Sequence, residues 1–207
     1  MIALTPMLLF TLAAAAFAWR MKRERLLTFW LLWSGLIHIV MESSYGLLPH
    51  VVTARATTTF TQYLFTPAPI ASWFDPRWWA SVYGQYARYD GRYTVADPTI
   101  LFICYTELLL GPLCFLLVWM IQSGNRLRHR VQLVLCTAQF YGTVLYFVAP
   151  MIQGNWSTVM THDTFELIVF VISLNGLWMV IPGWMIYQSF TAPTASAPAV
   201  ASRQIAA

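Results

Sequence analysis

Apolar positions along the chain gather in five long blocks, roughly residues 2–19, 27–48, 99–121, 131–150 and 165–187. Each is close to the ~20 residues a helix needs to cross a hydrocarbon core. The first block is followed by "RMKRER" and has no basic segment before it, so it reads as a span with a charged flank rather than a cleaved leader. Basic residues then orient the bundle. Arg20, Lys22, Arg23 and Arg25 lie between blocks one and two, and Arg126, Arg128 and Arg130 between blocks three and four. Both loops are expected in the cytosol, with a lumenal N-terminus and a cytosolic C-terminus. The loop "MIQGNWSTVMTHDT" after block four has no Lys or Arg and fits the lumenal side.

The lumenal loop over 49–98 is too long for a simple connection, and loops of that size are often functional. Its Thr- and Pro-rich first part is expected to be irregular. Its second part, "SWFDPRWWASVYGQYARYDGRYTVAD", has the Trp and Tyr content of an interface segment, expected as a short helix over the bundle mouth. The Ala/Pro/Ser/Thr-rich stretch 191–207 reads as a disordered cytosolic tail, leaving one membrane domain over 1–190.

Composition agrees. Hydrophobic residues make up 58% and charged residues 10%, with a mean hydropathy of +0.59. A soluble domain carries about 25% charged residues, so the fold class is an all-α integral membrane protein. The net charge of +4 comes from scattered arginines with no basic face between stacking aromatics, which excludes nucleic acid as a partner. Cys104, Cys114 and Cys136 all fall inside apolar stretches without a CxxC pair and read as packing residues.

Against this background three ionisable residues stand out: His38 and Glu42 in span two, and Glu107 in span three. Their polar company is Thr106, Gln139, Tyr141, Thr143, Tyr146, Asn175 and Trp178. Charges inside a bilayer are costly and nearly always face the bundle interior. His38 and Glu42 are one α-helical turn apart and can share or relay a proton. One reading is a structural helix–helix contact; the other is a polar cavity among five transmembrane helices. No further histidine has the spacing for zinc, so no metal is expected.

The polar pattern resembles the emopamil-binding protein, or EXPERA-domain, family. "LIHIVMES" resembles its span-two signature and "YGQYARYDGRYTVAD" its segment before span three. "LLLGPL", "AQFYGTVLYF" and "LNGLWMVIPG" follow in the family's order, so the resemblance covers roughly residues 6–187. It implies a five-helix, multi-pass protein of the endoplasmic reticulum membrane that takes a sterol or terpenoid lipid, uses no cofactor, and leaves room for a homodimer. It implies a sterol Δ8–Δ7 isomerase-like activity: an intramolecular oxidoreductase that protonates an alkene and removes a neighbouring proton. By carry-over His38 and Glu42 handle protons, Trp178 faces the cation, Asn175 orders the polar network, and Thr106, Tyr141 and Tyr146 contact substrate.

One departure matters. The resemblance implies a span-three glutamate where this chain has Ile103, and an acid where it has Thr143. Glu107, one turn from Ile103, is the replacement candidate, shifted by about 6 Å along the helix axis. Three functions follow: a double-bond isomerase of a sterol or polycyclic terpenoid, an enzyme of specialised terpenoid or meroterpenoid biosynthesis driving isomerisation or cyclisation, and a non-catalytic lipid binder.

Overall fold

The computed structural model describes residues 1–191, so the expected tail lies, from residue 192 on, outside the described residues. Six helices organise it: α1 (Leu4–Arg20), α2 (Arg25–Leu47), α3 (Pro76–Tyr86), α4 (Pro98–Ser123), α5 (Arg128–Ile152) and α6 (Thr164–Thr191). Shorter turns join them. No β-strand forms among the described residues, only two isolated bridges. Four helices, α2, α4, α5 and α6, are long and apolar enough to cross a membrane. α1 has 17 residues and rises about 25 Å, short of the ~30 Å of a typical hydrocarbon core.

Helix starts follow local chemistry. Asp75–Pro76 and Asp97–Pro98 each pair a capping carboxylate with a proline in the first turn. Asp75 accepts from Arg77 N, and Asp97 from Thr99 N, both at 2.8 Å. Asp163 caps α6 by accepting from Glu166 N. Each cap satisfies an N–H that the helix itself leaves without an acceptor, and proline there forfeits no hydrogen bond.

The position of α2 against α4 depends on small residues. A Cβ added to Gly111 would lie 2.5 Å from Ile39 Cγ1 and 3.3 Å from Gly35 O. One added to Gly46 would lie 3.0 Å from Cys104 Cβ. Without a hydrophobic driving force between helices in lipid, such close backbone approach is how spans gain packing energy. The three cysteines are free and buried, Cys104 and Cys114 on α4 and Cys136 on α5.

Two cores result. An aliphatic one joins Leu31, Leu110, Cys114, Leu117, Ile121, Leu135 and Met185. A tyrosine-rich one joins Tyr45, Tyr83, Tyr89, Tyr93, Tyr146 and Met160. On α2, α4 and α5 the buried polar residues His38, Glu107 and Gln139 fall between the two cores. Around the outside, Leu109, Val134, Ile152, Val180 and Phe190 are highly exposed, a surface that suits lipid.

Segment 49–98 closes one end of the bundle. Tyr45 Oη donates to Tyr93 O at 2.8 Å, and Thr161 N donates to Tyr89 O at 2.8 Å. Arg92 is buried over Tyr146, 4.6 Å from its ring centroid, and binds both carboxylate oxygens of buried Asp90. The Thr-rich part is more ordered than its composition suggests. It holds a short helix, Phe60–Leu64, whose capping box links Thr59 and Gln62.

Candidate active site

α2 does not stay α-helical where it carries the chemistry. Ile37–Glu42 forms a π-helical segment, a local widening often found at functional sites. Ser43 N reaches back five residues to His38 O. The Ser43 and Ser44 hydroxyls donate to Ile39 O and Val40 O, so the carbonyls around the widened turn keep partners. A second π segment, Leu167–Ser173, lies in α6 just before Asn175, and Ser173 Oγ donates to Ile168 O at 2.7 Å.

His38 is fully buried and holds contacts on both ring nitrogens. Nδ1 pairs with Glu42 Oε2. Nε2 lies 2.9 Å from Ser34 Oγ, 2.9 Å from Gln139 Nε2 and 3.2 Å from Glu107 Oε2. With Nδ1–H donating to Glu42, Nε2 is an acceptor, and the Gln139 amide is its donor. Gln139 Nε2 also lies 3.1 Å from Ser34 Oγ, and Trp178 Nε1 donates to that same hydroxyl at 3.3 Å. Ser34 therefore ties α2 to α5 and α6 at the histidine. Its small, helix-tolerated hydroxyl gave no signal in the sequence that would set it apart from a packing serine.

Glu107 comes from α4 and is 4% exposed. Gly142 on α5 makes its room, since a Cβ there would sit 3.4 Å from Glu107 Oε1 and 3.9 Å from Ile103 Cγ2. Glu107 Oε2 makes no aligned hydrogen bond and is held by its 3.2 Å contact with His38 Nε2, an unusual state for a buried carboxyl group.

A cavity of about 340 Å³ adjoins these groups. Glu42 and Glu107 both line it, with Ile103, Thr143, Tyr146, Asn175 and Trp178. His38 does not; it stands behind the wall and bridges the two carboxyl groups that face inward. Trp178 packs with Trp30 and Trp33 at centroid distances of 5.2 and 5.7 Å, and 6.4 Å from the His38 ring. α3 contributes Val82, Tyr83 and Tyr86, and the short Phe60–Leu64 helix contributes Phe60. Tyr86 Oη donates to Phe170 O at 3.0 Å and accepts from Asn175 Nδ2. Burial pushes the Tyr86 phenol well above its ordinary pKa, so it stays a hydroxyl.

Of the sequence-predicted residues, the structure gathers His38, Glu42, Glu107, Tyr146, Asn175 and Trp178. It separates two. Tyr141 is 57% exposed on the outer face of α5. Thr106 lies outside the cavity and returns its hydroxyl to Phe102 O at 2.9 Å. Their immediate neighbours Gly142 and Glu107 face inward, and a helix turns adjacent residues about 100° apart. Tyr86 and Ser34, absent from the candidate set, belong to it.

His38, Glu42 and Glu107 present ligand atoms within 4.8 Å of one another. The two carboxylates address opposite ring nitrogens, so an ion on one nitrogen would have a single carboxylate beside it. That geometry suits proton holding better than the convergent donor set of a zinc site.

The family model EBP, described as EXPERA (EXPanded EBP superfamily), matches residues 78–189, which include Glu107, Tyr146, Asn175 and Trp178. A probable 3-beta-hydroxysteroid-Delta(8),Delta(7)-isomerase of Oryza sativa subsp. japonica is 27% identical over 169 residues, 81% of this chain and 67% of that protein. A protoglabretal synthase of Citrus sinensis is 25% identical over 162 residues, 78% of this chain and 66% of its own length. The 3-beta-hydroxysteroid-Delta(8),Delta(7)-isomerase of Rattus norvegicus is 27% identical over 172 residues, 75% of this chain and 74% of the rat protein. The matched segment thus spans about two thirds of the first two relatives.

Proposed function

The chain belongs to the EBP (EXPERA) family, and on that footing we propose that it is a cofactor-independent isomerase moving a double bond in a sterol or related polycyclic terpenoid. The observation that carries the reading is the pair of cavity-facing carboxyl groups, Glu42 and Glu107, joined behind the wall by His38. Glu107 delivers a proton to one alkene carbon, and positive charge develops on the other. The Trp178 face lies beside the cavity to stabilise it, an interaction worth about 2 kcal/mol when desolvated. Glu42, as carboxylate, removes a proton from the carbon next to the cation, and the double bond forms there. The proton on Glu42 then returns to Glu107, which restores the starting state, and His38 stands between the two carboxyl groups in contact with both. One proton enters and one leaves, so no redox partner is required.

A second reading has its own support: relatives named protoglabretal synthase and isomeliandiol synthase, and Ile103 in place of the acid the family resemblance implies. The same acid and aromatic wall would then serve a specialised terpenoid. We extend the proposal to topology. α1 forms a fifth span despite its length, residues 1–190 make one membrane domain, and the basic loops face the cytosol, leaving the N-terminus in the lumen of the endoplasmic reticulum.

The test supplies membranes containing the protein with a Δ8-sterol in deuterated water and reads the product by mass spectrometry. One deuterium in a Δ7-product is expected. Absence of both shift and label would remove sterol isomerisation and leave the terpenoid enzyme or a lipid binder, which extracts of the native host separate by whether a product disappears on gene deletion.

A further inference from the structure

The end of the bundle away from the cap carries a second concavity, of about 470 Å³, between the α1–α2 and α4–α5 turns. Arg23, Glu24, Gly124, Arg126, Arg128 and His129 line it. The two turns are stapled together. Gln122 Nε2 donates to Arg23 O at 2.9 Å and to Thr28 Oγ1 at 3.0 Å, and Glu24 pairs with Arg128 Nη1. Arg128 is held from a second side by His129 Nε2, which accepts from its Nε at 3.2 Å. The Arg23 guanidinium lies against Gly124, where an added Cβ would stand 2.4 Å from Nη1. Arg23 and Arg126 form no ion pair among the described residues. Three arginines against one glutamate leave the pocket with about two positive charges. α5 also opens on Arg128, His129 and Arg130 with no acidic residue in its first turn and no side-chain cap. Cations at the positive end of a helix dipole oppose it, and an anion beside them reverses that balance. Orientation in a membrane needs only the number of basic residues in a loop; it does not require them to converge on one concave site.

We propose that Arg23, Arg126 and Arg128 form a binding site for the phosphomonoester headgroup of an anionic phospholipid, separate from the cavity at Glu42 and Glu107. Guanidinium groups match phosphate oxygens with paired N–H donors. A phosphomonoester carries a charge of about −1.5 to −2 near neutral pH, which balances the pocket, whereas a phosphodiester supplies only one charge. Position selects a lipid over a free phosphate ion. α2, α4 and α5 are membrane-length helices that begin or end at these turns. Exposed Leu26 and Leu127 adjoin the pocket residues in the chain and give acyl chains an apolar flank. Arg25 lies over the exposed Trp19 ring, 5.2 Å from its centroid, and tryptophan favours the headgroup level. Basic pockets between the ends of spanning helices take anionic headgroups by the same physics. A bound phosphate would tie the α1–α2 turn to the α4–α5 turn and so join the ends of the two helices that carry His38 and Glu107.

The test titrates the purified full chain in detergent with phosphatidic acid, phosphatidylglycerol, phosphatidylcholine and inorganic phosphate, and counts bound molecules by native mass spectrometry. One phosphatidic acid per chain is expected, held about tenfold more tightly than phosphatidylglycerol, with phosphatidylcholine and free phosphate weaker still. Arg23→Gln and Arg126→Gln should each weaken phosphatidic acid about tenfold. Arg20→Gln and Arg130→Gln make the same change of charge outside the pocket and should leave its affinity unaltered. An unfolding temperature without lipid that matches the original in all four variants serves as the folding control. Equal affinity for phosphatidic acid and phosphatidylglycerol, or equal losses in all four variants, would overturn the site in favour of diffuse surface charge. Inorganic phosphate bound as tightly as phosphatidic acid would overturn the lipid and leave a free anion as the ligand. The readout is binding alone, so it stands or falls independently of the isomerase reading.

Discussion

Glu107 Oε2 lies 3.2 Å from His38 Nε2, across the packed interface of α2 and α4. Neither residue's own helix dictates this approach, and it joins a carboxyl group on the cavity wall to an imidazole behind it. If Glu107 is the acid, Glu107→Gln keeps the shape and removes the proton. Turnover should fall on the order of 10²- to 10⁴-fold, with substrate affinity within about threefold of the original. Product formation and equilibrium binding, measured on the same preparation, check it. Unchanged turnover would locate the acid elsewhere.

His38 carries a different signature, because it does not line the cavity. His38→Ala should spare the first proton delivery from Glu107 and block its return. A single-turnover experiment with enzyme in excess should yield product, whereas steady-state turnover should drop by roughly 10²-fold or more. Equal losses in both regimes would mean that His38 acts before the first proton transfer.

The α2–α4 contact can be opened without touching a polar atom. Gly111→Ala puts a Cβ 2.5 Å from Ile39 Cγ1. Overpacking of that kind costs about 1–3 kcal/mol, and it should also move His38 away from Glu107. Thermal unfolding in detergent and activity should fall together. Gly84→Ala in α3, where nothing lies within 4 Å of the added carbon, should leave both unchanged or raise stability by about 0.5–1 kcal/mol.

The cap over the cavity depends on the buried Asp90–Arg92 pair. Asp90→Ala leaves the Arg92 guanidinium buried without its carboxylate. That kind of loss costs about 3–5 kcal/mol, so a lowered unfolding temperature is expected. Protease cutting within 49–98 should rise as well. An unaltered unfolding temperature would show that the pair contributes nothing to holding the cap.

Much of this molecule is legible in its one-dimensional pattern. Block length located four membrane-length helices and the shorter α1 to within a few residues, because a bilayer core imposes its thickness directly on the count of apolar residues. The cost of charge in lipid singled out His38, Glu42 and Glu107 without any knowledge of packing. The Asp–Pro starts of α3 and α4 are also written in the sequence, since capping is local chemistry.

What the sequence could not specify is how each helix turns about its own axis. In a soluble helix a polar stripe marks the outer face; in these spans the lipid-facing and protein-facing sides are both apolar, so the stripe vanishes. Tyr141 and Gly142, or Thr106 and Glu107, therefore look interchangeable as neighbours on paper. Tertiary packing separates them. The fit at Gly35, Gly46 and Gly111 sets the rotation of α2 and α4, Gly142 opens space for the Glu107 carboxyl group, and the π turn carries His38 behind the wall it was expected to line. Which residues each span carries comes from the sequence; which of them face one another is decided by where two backbones can come close.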